Sequence, residues 1–274
     1  MTIEECLVFG KSHCHSDHAK ILLGEIINKN PLELLNYLEE EVPEEEVTNY
    51  QKAVIALQEG KPIQYVLGKV NFFGYPFYVD ERVLIPRFET EELVENTIAI
   101  IKENFQEPID IVDLGCGTGV IGLTLEKKVS TASVDCIDIS KEALEVTKIN
   151  KEALQSKANL IQNDMLEGLD KKYDVIISNP PYIRDDEEIE QIVRENEPHL
   201  ALYAGKDGLD CYKKILNHIS QNMKDRCFIA FEIGKDQGEQ IIKLIEANLE
   251  NVKIEIKQDL SGRDRMLFIY KNLE

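Results

Sequence analysis

The tetrapeptide Asn179-Pro180-Pro181-Tyr182 closes the apolar run Tyr173-Asp174-Val175-Ile176-Ile177-Ser178. Two adjacent prolines have no N–H to give a sheet, so a strand over 173–178 must stop there and leave the neighbouring carbonyls facing something else. With an Asn amide before them and an aromatic ring after, they form a rigid set of acceptors beside a stacking surface, suited to a planar amide or amine. Such a nitrogen is a poor nucleophile because its lone pair is delocalised. Acceptors that orient it, and that bind harder as it becomes positive, serve it better than a strong base. On this reading Asn179, Pro180 and Tyr182 are catalytic, and Pro181 completes the substrate-binding unit. Taken alone, the same four residues are a rigid turn with a buried Tyr, and they do not separate an amide from an exocyclic amine.

A second constellation is Asp113-Leu114-Gly115-Cys116-Gly117-Thr118-Gly119, placed after a strand and before a helix. Glycines let a backbone turn sharply and approach a ligand, and the helix that follows offers free N–H groups. Its spacing, G-x-G-x-G, brings the third glycine earlier than in the dinucleotide fingerprint G-x-G-x-x-G, which suits S-adenosylmethionine better than NAD. The next strand ends at Asp138, about 20 residues on, where a carboxylate can accept both ribose hydroxyls; Ser140 is better placed to cap the following helix. Asn163-Asp164-Met165 follows a third strand and borders the adenine position, with Asp164 as acceptor and Met165 against the ring face; the bland alternative is a turn with a core Met. The cofactor set is therefore Gly115, Cys116, Gly117, Thr118, Gly119, Asp138, Asp164, Met165 and Asn179, with S-adenosylhomocysteine as product.

His13-Cys14-His15-Ser16-Asp17-His18 spells the H-x-H-x-D-H of binuclear zinc hydrolases, but it enters a helical pattern rather than following a strand, and only His199 and His218 remain downstream. It reads as a polar helix entry, and no metal site is expected.

The elements that must position these groups follow from periodicity. From Ile109 short apolar strands alternate with amphipathic helices: strands at 109–113, 133–137, 159–162, 173–178 and 227–233, helices from 120 and at 141–154, 209–222 and 237–249, then closing strands at 252–256 and 266–270. This α/β alternation predicts a mostly parallel, doubly wound sheet with its ligand beyond the carboxyl ends of the strands. Ahead of it, 89–103 reads as a helix, and 70–86 as a β-hairpin of aromatic and β-branched residues broken by Gly74 and Pro76. Residues 1–68 show helical spacing at Ala19, Leu22, Leu23, Ile26 and Ile27, at Leu32, Leu34, Leu35 and Leu38, and at Val54 and Leu57. The expected division is a small helical domain over 1–68, a hairpin linker over 69–88 and a catalytic domain over 89–274. The acidic runs 39–46 and 184–190 read as solvated faces or loops.

The chain has 274 residues, 51 acidic and 31 basic, for a formal charge of -20. That balance, with no basic cluster, argues against direct binding of DNA or RNA. No apolar stretch reaches about 18 residues and no basic region opens the chain, so neither a membrane span nor a signal peptide is expected, and a cytoplasmic monomer is. Six cysteines without a C-x-x-C pair read as reduced thiols.

Taken together, these motifs resemble the protein-(glutamine-N5) methyltransferase family, the release-factor methyltransferases of the HemK/PrmC type. The resemblance spans nearly the whole chain: Gly60 to Gly68, Leu84 to Glu95, Asp113 to Gly119, Ser178 to Ile183, Glu197-Pro198 with Ala201-Leu202, Phe231 to Gly234 and Asp259 to Arg265. It implies an N-terminal helical bundle that binds the protein substrate, a hairpin, and a Rossmann-like, seven-stranded class I methyltransferase domain whose last strand runs antiparallel. The implied reaction methylates the glutamine of the Gly-Gly-Gln motif in class 1 peptide chain release factors. Arg87 and Glu89 either brace a loop over the cofactor or are purely structural. Phe88 stands where the family often has Pro, Asn196 where an aromatic often precedes Glu-Pro, and Met165 where an aromatic is common. A sister enzyme acting on a ribosomal-protein glutamine would share every catalytic residue. An adenine-N6 methyltransferase of DNA would share the tetrapeptide but must flip a base and hold a phosphate backbone. A cofactor-binding module without activity would have lost the Asn or the glycine loop, and both are intact.

Overall fold

A computed structural model describes residues 1–106 and 108–273, in two compact units: 1–69 with 190–196, and 70–189 with 197–274. The first unit holds α1 (Ile3–His13), α2 (Ser16–Ile26), α3 (Glu44–Gln58) and α4 (Ile63–Leu67). Thr2 and Glu5 form a reciprocal capping box at α1. Ile3, Leu7, Leu22, Leu23, Tyr50 and Val54 bury together, and the Tyr50 hydroxyl donates to the Ala19 carbonyl at 3.3 Å. Gly10 makes this crossing possible, because a Cβ there would stand 2.0 Å from the Tyr50 oxygen. The expected helical stretch at Leu32–Leu38 is only a 3-10 turn over Leu34–Asn36. Leu34 is buried, but Leu32 and Leu35 are exposed, so that spacing marks one anchor rather than a helix face. A short helix outside the expected pattern, Gln191–Asn196, clusters with this unit, and Asn196 Nδ2 donates to the Gly60 carbonyl at 3.0 Å.

The second unit opens with a hairpin, β1 (Lys69–Phe72) and β2 (Tyr75–Tyr78). Phe73 and Gly74 both take positive φ at its two-residue turn, the twist such a turn requires. Phe72 and Phe77 meet edge to face at 6.1 Å and are buried in the unit's core, so the hairpin is part of that core rather than a free connector. Then follow α5 (Phe88–Asn104), β3 (Ile109–Leu114), α6 (Val120–Lys128), β4 (Ala132–Asp138), α7 (Lys141–Ala153), β5 (Asn159–Gln162) and β6 (Tyr173–Ser178). After α8, the Gln191–Asn196 helix, come α9 (Asp210–Asn222), β7 (Met223–Glu232), α10 (Gly238–Asn248), β8 (Val252–Gln258) and β9 (Asp264–Lys271).

The seven large strands form one sheet in the order β5-β4-β3-β6-β7-β9-β8, parallel except that β9 runs antiparallel to both β7 and β8. It is a Rossmann-like, doubly wound α/β architecture. Successive residues of one strand enter opposite cores: Val175 and Ile177 join one cluster, Ile176 the other. Burial on both faces is why these strands read as continuous apolar runs. β7 begins four residues before the expected start at Cys227, past a register irregularity between Tyr173 and Val175.

In register, Leu114 pairs with Ile137 and with Ser178, and Asp138 with Gln162. The residues after β3, β4, β5 and β6 therefore emerge along one edge. The order reverses between β3 and β6, the switch point where open α/β sheets bind ligands.

Candidate active site

Three glycines shape the loop after β3. Gly115, Gly117 and Gly119 all have positive φ, at 69°, 55° and 80°. A Cβ on Gly119 would stand 2.6 Å from the Thr147 Cγ2, so this glycine lets the loop pack on α7. A Cβ on Gly117 would meet nothing within 4 Å, and one on Gly115 only the Met165 Cε at 3.9 Å. These two line an open cradle where a ligand can approach the backbone. Cys116 contributes no free polar group to it: its N–H donates to the Ile137 carbonyl at 2.9 Å, its own carbonyl accepts from Gly119, and its thiol is buried 3.6 Å from the Thr147 hydroxyl. Thr118 is buried as well, and its carbonyl accepts from Asn150 Nδ2. Of the five loop residues expected to bind the cofactor, Gly115 and Gly117 face the open side, whereas Cys116, Thr118 and Gly119 serve the framework.

Asp138 stands beside the cradle. Its Oδ2 accepts from the Gly117 N–H and its Oδ1 from the Ser140 N–H, both at 2.9 Å, which leaves a lone pair on each oxygen for a diol. Burial raises its pKa, and those N–H bonds partly oppose the shift. Ser140 caps α7 by accepting from the Ala143 N–H. Behind the loop Asp113 is fully buried. Its Oδ2 takes the Gly122 N–H at 2.8 Å, its Oδ1 has no partner, and burial pushes its pKa to about 7.

Asp164 reaches the same edge, but its Oδ2 holds the Lys214 ammonium of α9 at 2.6 Å. The acceptor expected for an exocyclic amine is thus shared with a cation. Met165 has φ 50°, uncommon for a residue with a side chain, and Asn163 Nδ2 accommodates that backbone by donating to its carbonyl at 3.0 Å. Strained backbone of this kind concentrates at ligand sites.

Asn179 follows β6, whose last residue, Ser178, donates to the Leu114 carbonyl at 2.6 Å and ties the tetrapeptide to the start of the glycine loop. Asn179 Nδ2 donates to the Thr90 Oγ1 at 3.1 Å, and that hydroxyl donates to the Glu232 Oε2 at 2.7 Å. Among the described residues, no hydrogen bond to Asn179 Oδ1 or to the carbonyl of buried Pro180 competes for these acceptors. Tyr182 packs partly buried on the second core; its carbonyl accepts from Gln237 at 2.9 Å and its hydroxyl lies 3.5 Å from Arg265 Nη1. Burial raises its phenol pKa, so the ring stays neutral. Arg87 pairs with buried Glu197 at 2.5 Å, and Glu197 also accepts the Ile85 N–H at 3.0 Å. Arg87 thus braces its own segment against the 197–201 loop; Glu89 is half-buried near Glu232.

Thr90, Glu232, Arg265 and Lys214 carry roles that sequence reasoning did not assign. The available signal was Glu232, a carboxylate ending the run Cys227–Phe231, which is buried throughout. Among the described residues no cluster of three His, Cys, Asp or Glu could hold a metal, and no helix is long and apolar enough to cross a membrane. His15 instead caps α2, and His13 bonds the Phe9 carbonyl. All six cysteines are free.

Residues 15–68 match the family model described as the PrmC N-terminal domain, and residues 90–201 that of the Methyltransferase small domain. The chain is 38% identical over 285 aligned positions, covering 99% of each chain, to the release factor glutamine methyltransferase of Bacillus subtilis. It is 40% identical over 232 positions, 81% of this chain and 80% of the other, to the same enzyme of Flavobacterium psychrophilum. Among solved structures, a methyltransferase from Pyrococcus furiosus aligns with TM-score 0.53 at 17% identity, over 82% of this chain and 98% of that one. A 16S rRNA N2 G1207 methyltransferase of T. thermophilus, in complex with AdoMet and guanosine, aligns with TM-score 0.54 at 16% identity, over 74% of this chain and 50% of that one. At such identities these likenesses speak to the fold.

Proposed function

The chain belongs to the release factor glutamine methyltransferase family, and from that premise we propose that it methylates the side-chain amide nitrogen (N5) of the glutamine in the Gly-Gly-Gln motif of class 1 peptide chain release factors. The observation that carries the chemistry is Asn179, whose amide nitrogen is engaged by Thr90 while its oxygen is left to the site.

S-adenosylmethionine fits the residues present and supplies, when bound, an electrophilic methyl group on a sulfonium. Gly115 and Gly117 would admit it to the backbone, Asp138 would take its ribose, and Asp164 and Met165 would border its adenine. Cys116, Thr118 and Gly119 hold the loop that makes this possible. Asn179 Oδ1 and the Pro180 carbonyl each accept one N–H of the substrate amide and point its lone pair along the line of attack. Both bonds strengthen as the nitrogen gains positive charge, which favours the transition state over the ground state. Each charge-assisted bond contributes about 1.5–3 kcal/mol, and fixing two reactants in line contributes up to about 7–11 kcal/mol. Geometry therefore outweighs any single contact. Tyr182 and Pro181 flank the amide plane, where a neutral aromatic ring favours a cation, and the proton leaves to water. The N-terminal helices are the unit we assign to holding the protein substrate.

The test is methyl-labelled S-adenosylmethionine with purified release factor, ribosomal proteins and DNA side by side. Label is expected on the release factor alone and is lost when the Gly-Gly-Gln glutamine is replaced. Label on a ribosomal protein instead would redirect the substrate assignment, and label on DNA would overturn it.

A further inference from the structure

A carboxamide can stand either way round in a pocket, and only one orientation of Asn179 serves this reaction. With its oxygen toward the substrate it accepts; turned over, it presents an NH2 to another NH2 and binds nothing. Three elements meet at the group that decides. Thr90 comes from the first turn of α5, Glu232 is the last residue of β7, and Asn179 lies just past β6, respectively 142 and 89 positions from Thr90 in the chain. Thr90 and Glu232 are each 2% exposed, so water does not compete for their bonds.

We infer that Thr90 and Glu232 are positioning residues that set the orientation of the Asn179 carboxamide by ordering a single proton. This rests on the reading of Asn179 as the acceptor of the substrate amide. A hydroxyl has one proton, and at 2.7 Å from a carboxylate Thr90 gives it to Glu232 Oε2. Only a lone pair is then left facing Asn179, and it demands a donor, which is Nδ2 at 3.1 Å. The Oδ1 is turned to the site by default.

The ordering depends on Glu232 being ionised. Around it stand Arg265 from β9, Arg87 and Glu89 from the segment opening α5, and Tyr182 after β6, while the Tyr212 hydroxyl of α9 bonds its main-chain oxygen at 2.6 Å. Burial drives its pKa up to about 7, against the pull of Thr90 and Arg265. Once protonated, Glu232 can donate to Thr90 Oγ1. The Thr90 proton is then free to turn to Asn179, where it favours Oδ1 and inverts the amide. Methyl transfer should therefore lose rate as pH falls through the Glu232 pKa, with no proton consumed in the reaction itself.

The experiment is steady-state methyl transfer to release factor by the full-length chain across pH, with cofactor affinity measured in parallel. Thr90→Val keeps the shape and removes the hydroxyl; kcat is expected to fall about 100-fold with the dissociation constant for S-adenosylmethionine unchanged. Thr90→Ser should restore most of the rate and keep the acid limb, whereas Glu232→Gln, which cannot titrate, should lose that limb. Wild-type turnover by Thr90→Val, equal losses in Val and Ser, or an acid limb that survives Glu232→Gln would each overturn the inference. Should Thr90→Val fail to fold, the Glu232→Gln profile decides alone. Failure of the underlying reading looks different: the wild type would leave the release-factor glutamine unlabelled, or Asn179→Ala would retain full turnover.

Discussion

Asn179 concentrates the chemistry because Thr90 fixes its carboxamide while its acceptor oxygen is left to the site. Replacing it with Ala removes a bond that gains strength in the transition state and leaves Thr90 Oγ1 without its donor. By analogy with loss of a single charge-stabilising hydrogen bond, kcat should drop about 100- to 1,000-fold. Because Asn179 is read as holding the substrate amide, cofactor affinity should change little, and isothermal titration with S-adenosylhomocysteine checks that half of the expectation. A parallel loss of affinity would show that Asn179 acts on the cofactor rather than on the amide. Tyr182 and Pro180 could be proposed beside it from the chain, since two adjacent prolines must end the strand and leave their carbonyls unpaired in the sheet. Thr90 and Glu232 could not. Glu232 stands out only as a carboxylate closing an apolar run, and its meeting with Thr90 requires α5 to pack on β7, which no spacing in the chain encodes.

At the scale of elements, the glycine loop separates two kinds of glycine that look alike in sequence. Gly117 and Gly119 both adopt positive φ, so an Ala at either costs about 1–2 kcal/mol of backbone strain. Only at Gly119 does the new methyl also collide, at 2.6 Å, with Thr147 on α7. Gly119→Ala should therefore lower the melting midpoint clearly more than Gly117→Ala, and Gly117→Ala should weaken cofactor binding while losing only the stability that backbone strain removes; thermal melts and a binding titration on both variants separate the effects. Equal melting losses would mean that the loop shifts away from α7 at little cost. The strands and long helices around this loop were readable because two-sided burial writes continuous apolar runs and amphipathic helices repeat every 3.6 residues. Where burial is local, the pattern misleads. Leu32 and Leu35 share the spacing of a helix but sit exposed around a single anchor, Leu34. The six-residue helix α8 is too short, and too free of buried residues, to leave a periodic trace. Cys116 and Thr118 occupy positions between glycines that a motif marks as ligand-facing, yet the same turn that exposes the glycines buries them.

For the whole molecule, the buried carboxyls set how stability responds to pH. Asp113 and Glu232 are fully enclosed, and each is pushed to a pKa of about 7, far above its unfolded value. Between those values the folded state holds protons that the unfolded chain has lost, so stability falls as pH rises through that window. Asp80, Asp110 and Asp207 shift the other way: ion pairs and hydrogen bonds with Arg82, Lys171, Lys224 and Lys213 lower their pKa values, and their contribution is lost as pH drops below the ordinary carboxylate range. The formal charge of -20 adds self-repulsion that also grows with pH. The stability maximum should accordingly lie on the acid side of neutrality. Asp113→Asn isolates the buried contribution, since an amide oxygen can still accept the Gly122 N–H and only the ionisation is removed. At about pH 8 this variant should gain on the order of 1–2 kcal/mol, or about 2–8 °C in melting midpoint, over the wild type. At about pH 5, nearer the unfolded carboxyl's pKa, the gap should narrow, and it closes only below that unfolded value. A gain that is the same at both pH values would assign the effect to packing around the unpartnered Asp113 Oδ1, not to its charge.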